Sequence, residues 1–304
     1  MNRIFSGIRP SGKIHLGNYL GAIKNWIDLQ DMPDNASVIF GLMDYHAITT
    51  PYDPKTFRVQ VLETAAEYLA TGINPKKSVL MRQSHVPQHT ELAWLFNTIT
   101  PVSWLERLPT YKEKLDQVGG KYNHIGILDY PVLMAADILV YKSNLVPVGD
   151  DQKAHIDLAN EIAKKFNSMF GETFERIKAP VFEGARIMSL QDVGKKMSKT
   201  GDAGIALTDS PDDIRTKVKR AVTDSGSEIK NDPQEKPAIA NLLGIYHLLA
   251  QVSIPILEEQ YAGKTYSEFK NDLAEVIVEY LRPFREQYTE LTNDLAGVEA
   301  ILTK

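Results

Sequence analysis

The chain has 304 residues, no cysteine and a formal net charge of −5, from 34 lysines and arginines against 39 aspartates and glutamates. The lack of cysteine excludes disulfides, thiolate zinc sites and cysteine nucleophiles, and the acidic balance excludes a histone-like coat of positive charge. No apolar run reaches the roughly 18 residues of a membrane span, and the N-terminus enters a strand-like run without a signal-peptide core. We therefore expect a cytoplasmic globular protein of about two domains, with no membrane partner.

Short apolar runs alternate with helical patterns over the first half of the chain. Strands are predicted at residues 3–7, 38–43, 78–81 and 145–148. Helices are predicted at residues 17–29, from Asp53 to Gly72, and at residues 91–99, 131–141 and 152–170. This alternation predicts an α/β domain with a Rossmann-like, doubly wound parallel sheet, whose ligands bind at the carboxyl ends of the strands.

The pattern changes after about residue 190, where no further strand is predicted. Ser210 followed by Pro211 is a strong helix start, an apolar helix follows at residues 237–252, and Thr265 with Glu268 forms a capping box. We expect Pro283 to kink or end that last helix. The predicted organisation is a Rossmann-like domain at residues 1–190, with a helical insertion at about 85–130, and an all-helical domain at residues 191–304.

Two glycine-containing segments can bind anions. Residues 7–18 read Gly-Ile-Arg-Pro-Ser-Gly-Lys-Ile-His-Leu-Gly-Asn and lie between the first strand and the first helix, where free helix N–H groups attract phosphate. The segment is neither a P-loop nor a GxGxxG turn, and composition alone favours an ordinary strand–turn–helix connection.

Residues 194–201 read Gly-Lys-Lys-Met-Ser-Lys-Thr-Gly, which places three lysines in a loop that glycines allow to open and close. Taken alone, a solvated basic loop is the simpler interpretation.

Together, in this order, the two segments resemble a known pair of motifs. His15-Leu16-Gly17-Asn18 resembles the HIGH motif of class I aminoacyl-tRNA synthetases, and residues 196–200 resemble their highly specific KMSKS motif. Within that class, residues 5–7, 44–49, 130–139, 147–152, 184–190 and 221–225 resemble the bacterial tryptophanyl-tRNA synthetases. The resemblance runs from Phe5 to about Pro283.

The resemblance implies activation of L-tryptophan by ATP to tryptophanyl-adenylate and pyrophosphate, followed by transfer to tRNA(Trp). It also implies a homodimer, with the insertion at about 85–130 as its interface, and an anticodon-binding helical domain. Mg²⁺ would bridge the ATP phosphates without a protein cage, and neither an organic cofactor nor a protein metal site is expected.

The resemblance also implies a set of ATP-site residues. Catalytic lysines would neutralise the leaving pyrophosphate, namely Lys114, Lys196 and Lys199. The residues expected to bind ATP are Arg9, Pro10, Ser11, His15, Gly17, Asn18, Gly149, Asp150, Asp151, Ile187, Lys196, Met197, Ser198, Lys199 and Thr200. Asp150 and Asp151 are equally good helix N-caps.

Asp137 lies in an apolar helical segment with no basic residue within a turn. A buried carboxylate needs a partner, and an indole offers one N–H donor and no acceptor. An aspartate on the surface of an amphipathic helix is an equal alternative from the residues alone, but the resemblance implies contact with the indole. The other residues expected to bind tryptophan are Phe5, His46, Tyr130, Met134, Val146, Val148 and Gln152.

Other features keep simpler interpretations. His85 and His89 have metal-ligand spacing, but Pro87 between them favours a helix start over a metal site. Four cations at residues 215–220 are either a solvated helix face or a contact for tRNA phosphates.

Three alternative functions stay open. They are a tyrosyl-tRNA synthetase, a small-molecule adenylyltransferase that shares only the first motif, and a non-catalytic tRNA-binding paralogue.

Overall fold

The computed structural model describes residues 2–32, 35–111, 123–149, 152–180, 186–198 and 204–303. Lys114, Asp150, Asp151, Lys199 and Thr200, which the sequence assigns to the site, lie outside these residues.

By its internal contacts the chain forms two compact units. The sheet unit contains Met1–Ser11, Trp26–Phe182 and Leu295–Lys304, and the helical unit contains Gly12–Asn25 and Glu183–Asp294. The division at residue 190 stays a prediction of domain organisation. By contacts, the first motif groups with the helical unit and the last residues with the sheet unit.

The elements follow in chain order. The strands of the described residues are β1 (Asn2–Ile8), β2 (Asn35–Leu42) and β3 (Val79–Arg82). The first helices are α1 (Leu16–Asn18), α2 (Lys24–Leu29), α3 (Asp44–Ala47), α4 (Phe57–Ala70), α5 (Gln88–Asn97), α6 (Val102–Glu106), α7 (Ile125–Leu139) and α8 (Lys153–Phe170). The later helices are α9 (Pro211–Arg220), α10 (Pro237–Ala250), α11 (Ile254–Gln260), α12 (Tyr266–Asn293) and α13 (Leu295–Leu302).

The sheet is parallel, which confirms the predicted α/β class. β1 pairs with β2, and β2 pairs with β3. Beyond β1, Leu145 forms parallel bridges to Ile4 and to Lys178. The strand predicted at residues 145–148 is therefore reduced to one bridging position, because Pro147 has no N–H to offer a ladder. The carboxyl ends of β2 and β3 lead directly into α3 and into a short 3-10 turn, Gln83–His85.

Helix α7 lies in the core of the sheet unit. It begins six residues before the predicted start at Pro131 and contains this proline in its interior. The proline removes one backbone hydrogen bond, but the buried side chains of Ile127, Val132, Ile138 and Leu139 compensate for that loss. Of these, Val132, Ile138 and Leu139 belong to an apolar cluster that also includes residues of α5 and α8.

The helical unit confirms two predicted helix starts and changes two other predictions. Ser210 Oγ accepts a hydrogen bond from the Asp213 N–H at 3.1 Å, and Thr265 with Glu268 forms the capping box of α12. α12 does not end at Pro283 but continues to Asn293, and Phe284, the residue after the proline, is buried. The helix predicted at residues 17–29 is interrupted by a π-helical segment, Tyr19–Ile23, between α1 and α2.

None of the described helices alone combines the length and the apolar character that a membrane span requires. Taken together, α10 and α11 are long and apolar enough for a span, but the chain bends by 109° between them.

Helix α13 packs within the sheet unit against α4 and β3. Its Val298 and Leu302 side chains are buried. Arg58 of α4 donates two hydrogen bonds to the Glu299 carboxylate, at 2.9 and 2.8 Å. The end of the chain is therefore tied to the unit in which the chain begins.

Candidate active site

A buried carboxylate lies at the carboxyl edge of the sheet. Asp137 on α7 is 1% exposed. Its Oδ2 accepts a hydrogen bond from His46 Nε2 at 2.7 Å, while its Oδ1 accepts from Gln83 Nε2 at 2.7 Å and from His89 Nδ1 at 2.6 Å. The donors come from α3, from the turn after β3 and from α5, so three elements converge on one side chain. We call these four residues the Asp137 cluster.

The histidines of the Asp137 cluster determine whether the Asp137 carboxyl group is ionised. Burial by itself raises the pKa of a carboxyl group. The electrostatic attraction and hydrogen bonds of His46 and His89 outweigh this effect and hold the pKa of Asp137 below its usual value. The group is therefore an ionised and buried acceptor at neutral pH.

Asp44 anchors the segment that carries His46. It is buried at the start of α3, where its Oδ2 accepts a hydrogen bond from Arg82 Nε at 2.7 Å and its Oδ1 accepts from the Ser84 N–H at 2.9 Å. Arg82 and Ser84 flank Gln83, so the two donor-bearing segments are fixed to each other. This pairing positions both donors before any ligand arrives.

The other predicted tryptophan-binding residues fall into two groups by their surroundings. Phe5 and Val146 are buried in the apolar cluster of the sheet unit, and Met134 and Val148 pack against it. Phe5 also stacks on Tyr141, with ring centroids 5.7 Å apart. Because the Tyr141 hydroxyl lies 2.8 Å from His89 Nε2, this stacking places Phe5 next to a ring that contacts the Asp137 cluster.

The second group is aromatic and polar. Tyr130 meets the edge of His46 at 6.2 Å, and its hydroxyl lies 2.8 Å from His155 Nε2 and 3.0 Å from Thr110 Oγ1. Gln152 caps the start of α8 and donates its N–H to the Gly149 carbonyl at 2.9 Å.

Sequence reasoning missed Gln83 and His89. It grouped His89 with His85 as a helix start, yet His89 is buried whereas His85 is exposed. It also looked for partners of Asp137 only along its own helix, whereas the structure supplies them from other elements. One feature of the sequence could have identified Gln83, namely its place in the chain. It directly follows a strand, and ligands bind at the carboxyl ends of parallel strands.

In the helical unit, the first motif forms a tight capping structure. His15 caps α1, its Nδ1 accepts the Asn18 N–H at 3.2 Å, and Asn18 Oδ1 accepts the His15 N–H at 3.4 Å. Because Nδ1 is an acceptor, the neutral ring carries its proton on Nε2. The Leu16 N–H donates to the Ile205 carbonyl at 2.8 Å. This bond ties the motif to the chain that follows residues 194–201, which we call the lysine loop.

Met197 of the second motif is buried against two glycines. A Cβ on Gly17 would lie 3.1 Å from Met197 Cβ, and a Cβ on Gly204 would lie 2.7 Å from Met197 Cγ. The resemblance places Gly17 among the residues expected to bind ATP. The structure adds a packing reason, because any side chain at Gly17 would press on Met197 and on the His15 ring.

The lysine loop is held through its backbone. The Met197 N–H donates to the Ile187 carbonyl at 3.0 Å, and Met188 forms an antiparallel bridge with Lys196. Lys195 pairs with Asp192 at 2.9 Å. The Lys196 side chain is exposed and, among the described residues, forms no ion pair.

Among the residues predicted to bind ATP, Pro10 and Ser11 form hydrogen bonds through their backbone. Pro10 in the sheet unit accepts a hydrogen bond from Gln60 Nε2 at 2.8 Å, and the Ser11 N–H turns back onto the Arg9 carbonyl at 2.7 Å.

On α9, Arg215 pairs with Glu275 and Asp212, and Lys217 pairs with Asp209. The exposed Arg215 pairs favour the solvated-face interpretation for this cation, whereas the Lys217–Asp209 pair is largely buried.

Comparison with known proteins gives consistent results. The family model described as tRNA synthetases class I (W and Y) matches residues 1–282. The chain is 45% identical to the tryptophan–tRNA ligases of Gloeobacter violaceus and Wolinella succinogenes, over 99% of this chain and 89% and 92% of those proteins. It resembles the structure of Campylobacter jejuni tryptophanyl-tRNA synthetase complexed with ADP and tryptophan, with a TM-score of 0.86, 35% identity, and coverage of 98% of this chain and 92% of that one.

Proposed function

Because the chain belongs to the class I tRNA synthetases of the tryptophan and tyrosine family, we propose that it joins tryptophan to tRNA(Trp) at the expense of ATP. The observation that carries the choice of amino acid is the buried, ionised Asp137 carboxylate among apolar side chains. Indole has a single N–H donor and no acceptor, so an acceptor-only group matches it. A phenol also carries an acceptor, which makes tyrosine a poorer match.

The first step forms the adenylate. The tryptophan carboxylate attacks the α-phosphorus of ATP, a P–O bond forms, and the bond to the leaving pyrophosphate breaks. The nucleophile is already an anion, so the step needs neither a general base nor a covalent enzyme intermediate. Catalysis consists of positioning and charge stabilisation.

Lys114, Lys196 and Lys199 stabilise the leaving pyrophosphate in this proposal. The exposed side chain and backbone anchoring of Lys196 support its part. His15, Gly17, Asn18, Ile187, Met197, Ser198 and Thr200, together with Arg9, Pro10, Ser11, Gly149, Asp150 and Asp151, form the proposed ATP contacts. Mg²⁺ arrives with the ATP phosphates as part of the substrate, and no group of three His, Asp or Glu side chains among the described residues is arranged to hold a metal ion.

In the second step, the acyl group passes from the adenylate to the terminal ribose of tRNA(Trp) and AMP leaves. The 2′-hydroxyl is the acceptor in this class. The helical unit is the proposed anticodon-binding part, and the cytoplasm is the proposed location.

The proposed assembly is a homodimer formed through the insertion at about residues 85–130. Helices α5 and α7 pack on each other there. Trp94 is 70% exposed, Ile125 is 75% exposed, and Leu95 and Val102 are also exposed. Large apolar side chains in this number on neighbouring helices are typical of an interface. Sedimentation of the purified protein would show a dimer, whereas a monomer at high concentration would contradict this part.

ATP–pyrophosphate exchange across the twenty amino acids tests the function. We expect exchange that depends on tryptophan, followed by charging of tRNA(Trp). Exchange that depends on tyrosine would replace the proposal with the sister activity. Tight RNA binding without exchange would indicate a non-catalytic paralogue.

A further inference from the structure

Protein donors are distributed unequally between the two oxygens of the Asp137 carboxylate. A carboxylate offers about four acceptor positions, two on each oxygen. Gln83 and His89 both bind Oδ1, whereas His46 is the one protein donor recorded on Oδ2 among the described residues. The position left for a further donor is therefore on Oδ2, beside His46 Nε2.

Gln83 is held in the orientation that donates to Asp137. Its side chain is fully buried. Its Oε1 accepts the Tyr45 N–H at 3.0 Å, which directs Nε2 toward Asp137 Oδ1 at 2.7 Å. A flipped amide would turn an oxygen toward the carboxylate and the NH₂ group toward the Tyr45 N–H, so both contacts would be lost.

His89 is held in the same way from its other nitrogen. The ring is fully buried, and Nε2 lies 2.8 Å from the Tyr141 hydroxyl. Burial raises the pKa of Tyr141 to about 12, with a further contribution from the Asp137 charge, so this hydroxyl keeps its proton at neutral pH. Nδ1 of His89 must carry a proton, because its lone pair would otherwise face a carboxylate oxygen.

We propose that Gln83 and His89 are positioning residues that saturate Oδ1 of Asp137, fix the rotation of its carboxylate and leave Oδ2 as the acceptor for the substrate ring N–H. This inference rests on the proposed tryptophan activity and assigns roles to two residues that make no substrate contact in it. Their effect is on recognition of the ring N–H, through Asp137, and not on ATP.

The test compares tryptophan with benzothienylalanine, in which a ring sulfur replaces the N–H. The readout is the ratio of kcat/KM values for the two amino acids in pyrophosphate exchange. We expect the wild-type protein to prefer tryptophan about tenfold or more, since a hydrogen bond to a charged group is lost with the analogue. The His89→Leu variant should reduce this preference at least about fivefold and leave the KM for ATP unchanged.

Matched variants separate positioning from damage to the fold. His89→Asn keeps an N–H near the place of Nδ1 and should restore most of the preference. Gln83→Met removes the other donor to Oδ1 and should reduce the preference as His89→Leu does, which provides a second test if His89→Leu does not fold. His85→Leu is the control, because His85 is exposed on the same segment and contacts the Leu302 carbonyl at 3.4 Å, not Asp137.

The outcomes are distinct. An unchanged preference in folded His89→Leu or Gln83→Met would overturn the inference, as would an equal loss of activity with both amino acids. A wild-type protein without tryptophan-dependent exchange would overturn the proposed function and this inference together. A wild-type preference that disappears in His89→Leu and returns in His89→Asn supports both.

Discussion

The Asp137 cluster in the sheet unit and the lysine loop in the helical unit hold their charges in different ways. Asp137 is buried, and three protein donors surround it. Lys196 is exposed, and its segment is held by backbone bonds and by the buried Met197 between two glycines. A neutral ring is best recognised by one fixed acceptor in a dry site, whereas a polyphosphate is best met by cations that are not already paired. The two regions therefore differ in which changes they tolerate.

The largest effect is expected at the lysine loop. Lys199→Ala should lower the rate of adenylate formation by about two to three orders of magnitude, since it removes charge stabilisation of the leaving group. Tryptophan affinity should change little. Lys195→Ala is the matched control, because Lys195 is exposed and already paired with Asp192, and surface pairs contribute little. Exchange at the wild-type rate in Lys199→Ala would remove this lysine from the mechanism.

The next effect is expected at the buried carboxylate. Asp137→Asn should raise the KM for tryptophan about tenfold to a hundredfold and weaken discrimination against phenylalanine, because the acceptor loses its charge. The KM for ATP should stay close to the wild-type value. Exchange assays with both amino acids measure this effect, and unchanged selectivity would contradict the role of Asp137.

A smaller effect is expected from packing. Gly17→Ala should lower the free energy of unfolding by about 1–3 kcal/mol, because the new methyl group would crowd Met197 and the His15 ring. Chemical denaturation measures the loss. Gly17→Ala combined with Met197→Gly should lose less than the sum of the two single variants, since Met197→Gly removes the Cβ that the new methyl group would crowd. Strict additivity would show that the two side chains do not interact.

The smallest effect is expected in acid. The pKa of Asp137 is lower in the folded protein than its ordinary value, so its ionised form stabilises the fold above that ordinary value. This contribution is lost as the pH falls through the folded pKa. Between about pH 5 and about pH 3, wild-type protein should therefore lose more stability than Asp137→Asn. Parallel acid-unfolding curves for the two proteins would contradict the pairing of an ionised Asp137.

Local signals in the sequence predicted much of the fold. Ser210 and Thr265 each predict a helix start through a hydrogen bond to the residue three positions later, and both hydrogen bonds are observed. Helix α7 began earlier than predicted because burial of its apolar face, a tertiary effect, outweighs the cost of Pro131. The motif resemblance predicted His15, Gly17 and Met197 as site residues, but their mutual packing could not be read from spacing.

The partners of Asp137 could not be predicted from local pattern. They lie 48, 54 and 91 residues away in the chain, on three separate elements. Hydrophobic periodicity or a local motif indicates the role of a residue within its own helix. These hydrogen bonds depend instead on the parallel sheet, which brings the segments after its strands together at one edge. The residues alone left open whether Asp137 is buried and in need of partners, and the identity of those partners needed the fold.

The return of α13 to the sheet unit has a consequence for how the chain unfolds. Residues 183–294 are bounded on both sides by segments of the sheet unit, so they form an internal insertion and not a free tail. If this insertion unfolds while the sheet unit stays folded, its ends remain joined, and the denatured loop has less conformational entropy than a free segment. Detaching α13 from α4 and β3, for example by replacing buried Val298 with a charged residue, would remove that restraint. A substitution in α13 can therefore destabilise the helices within residues 183–294.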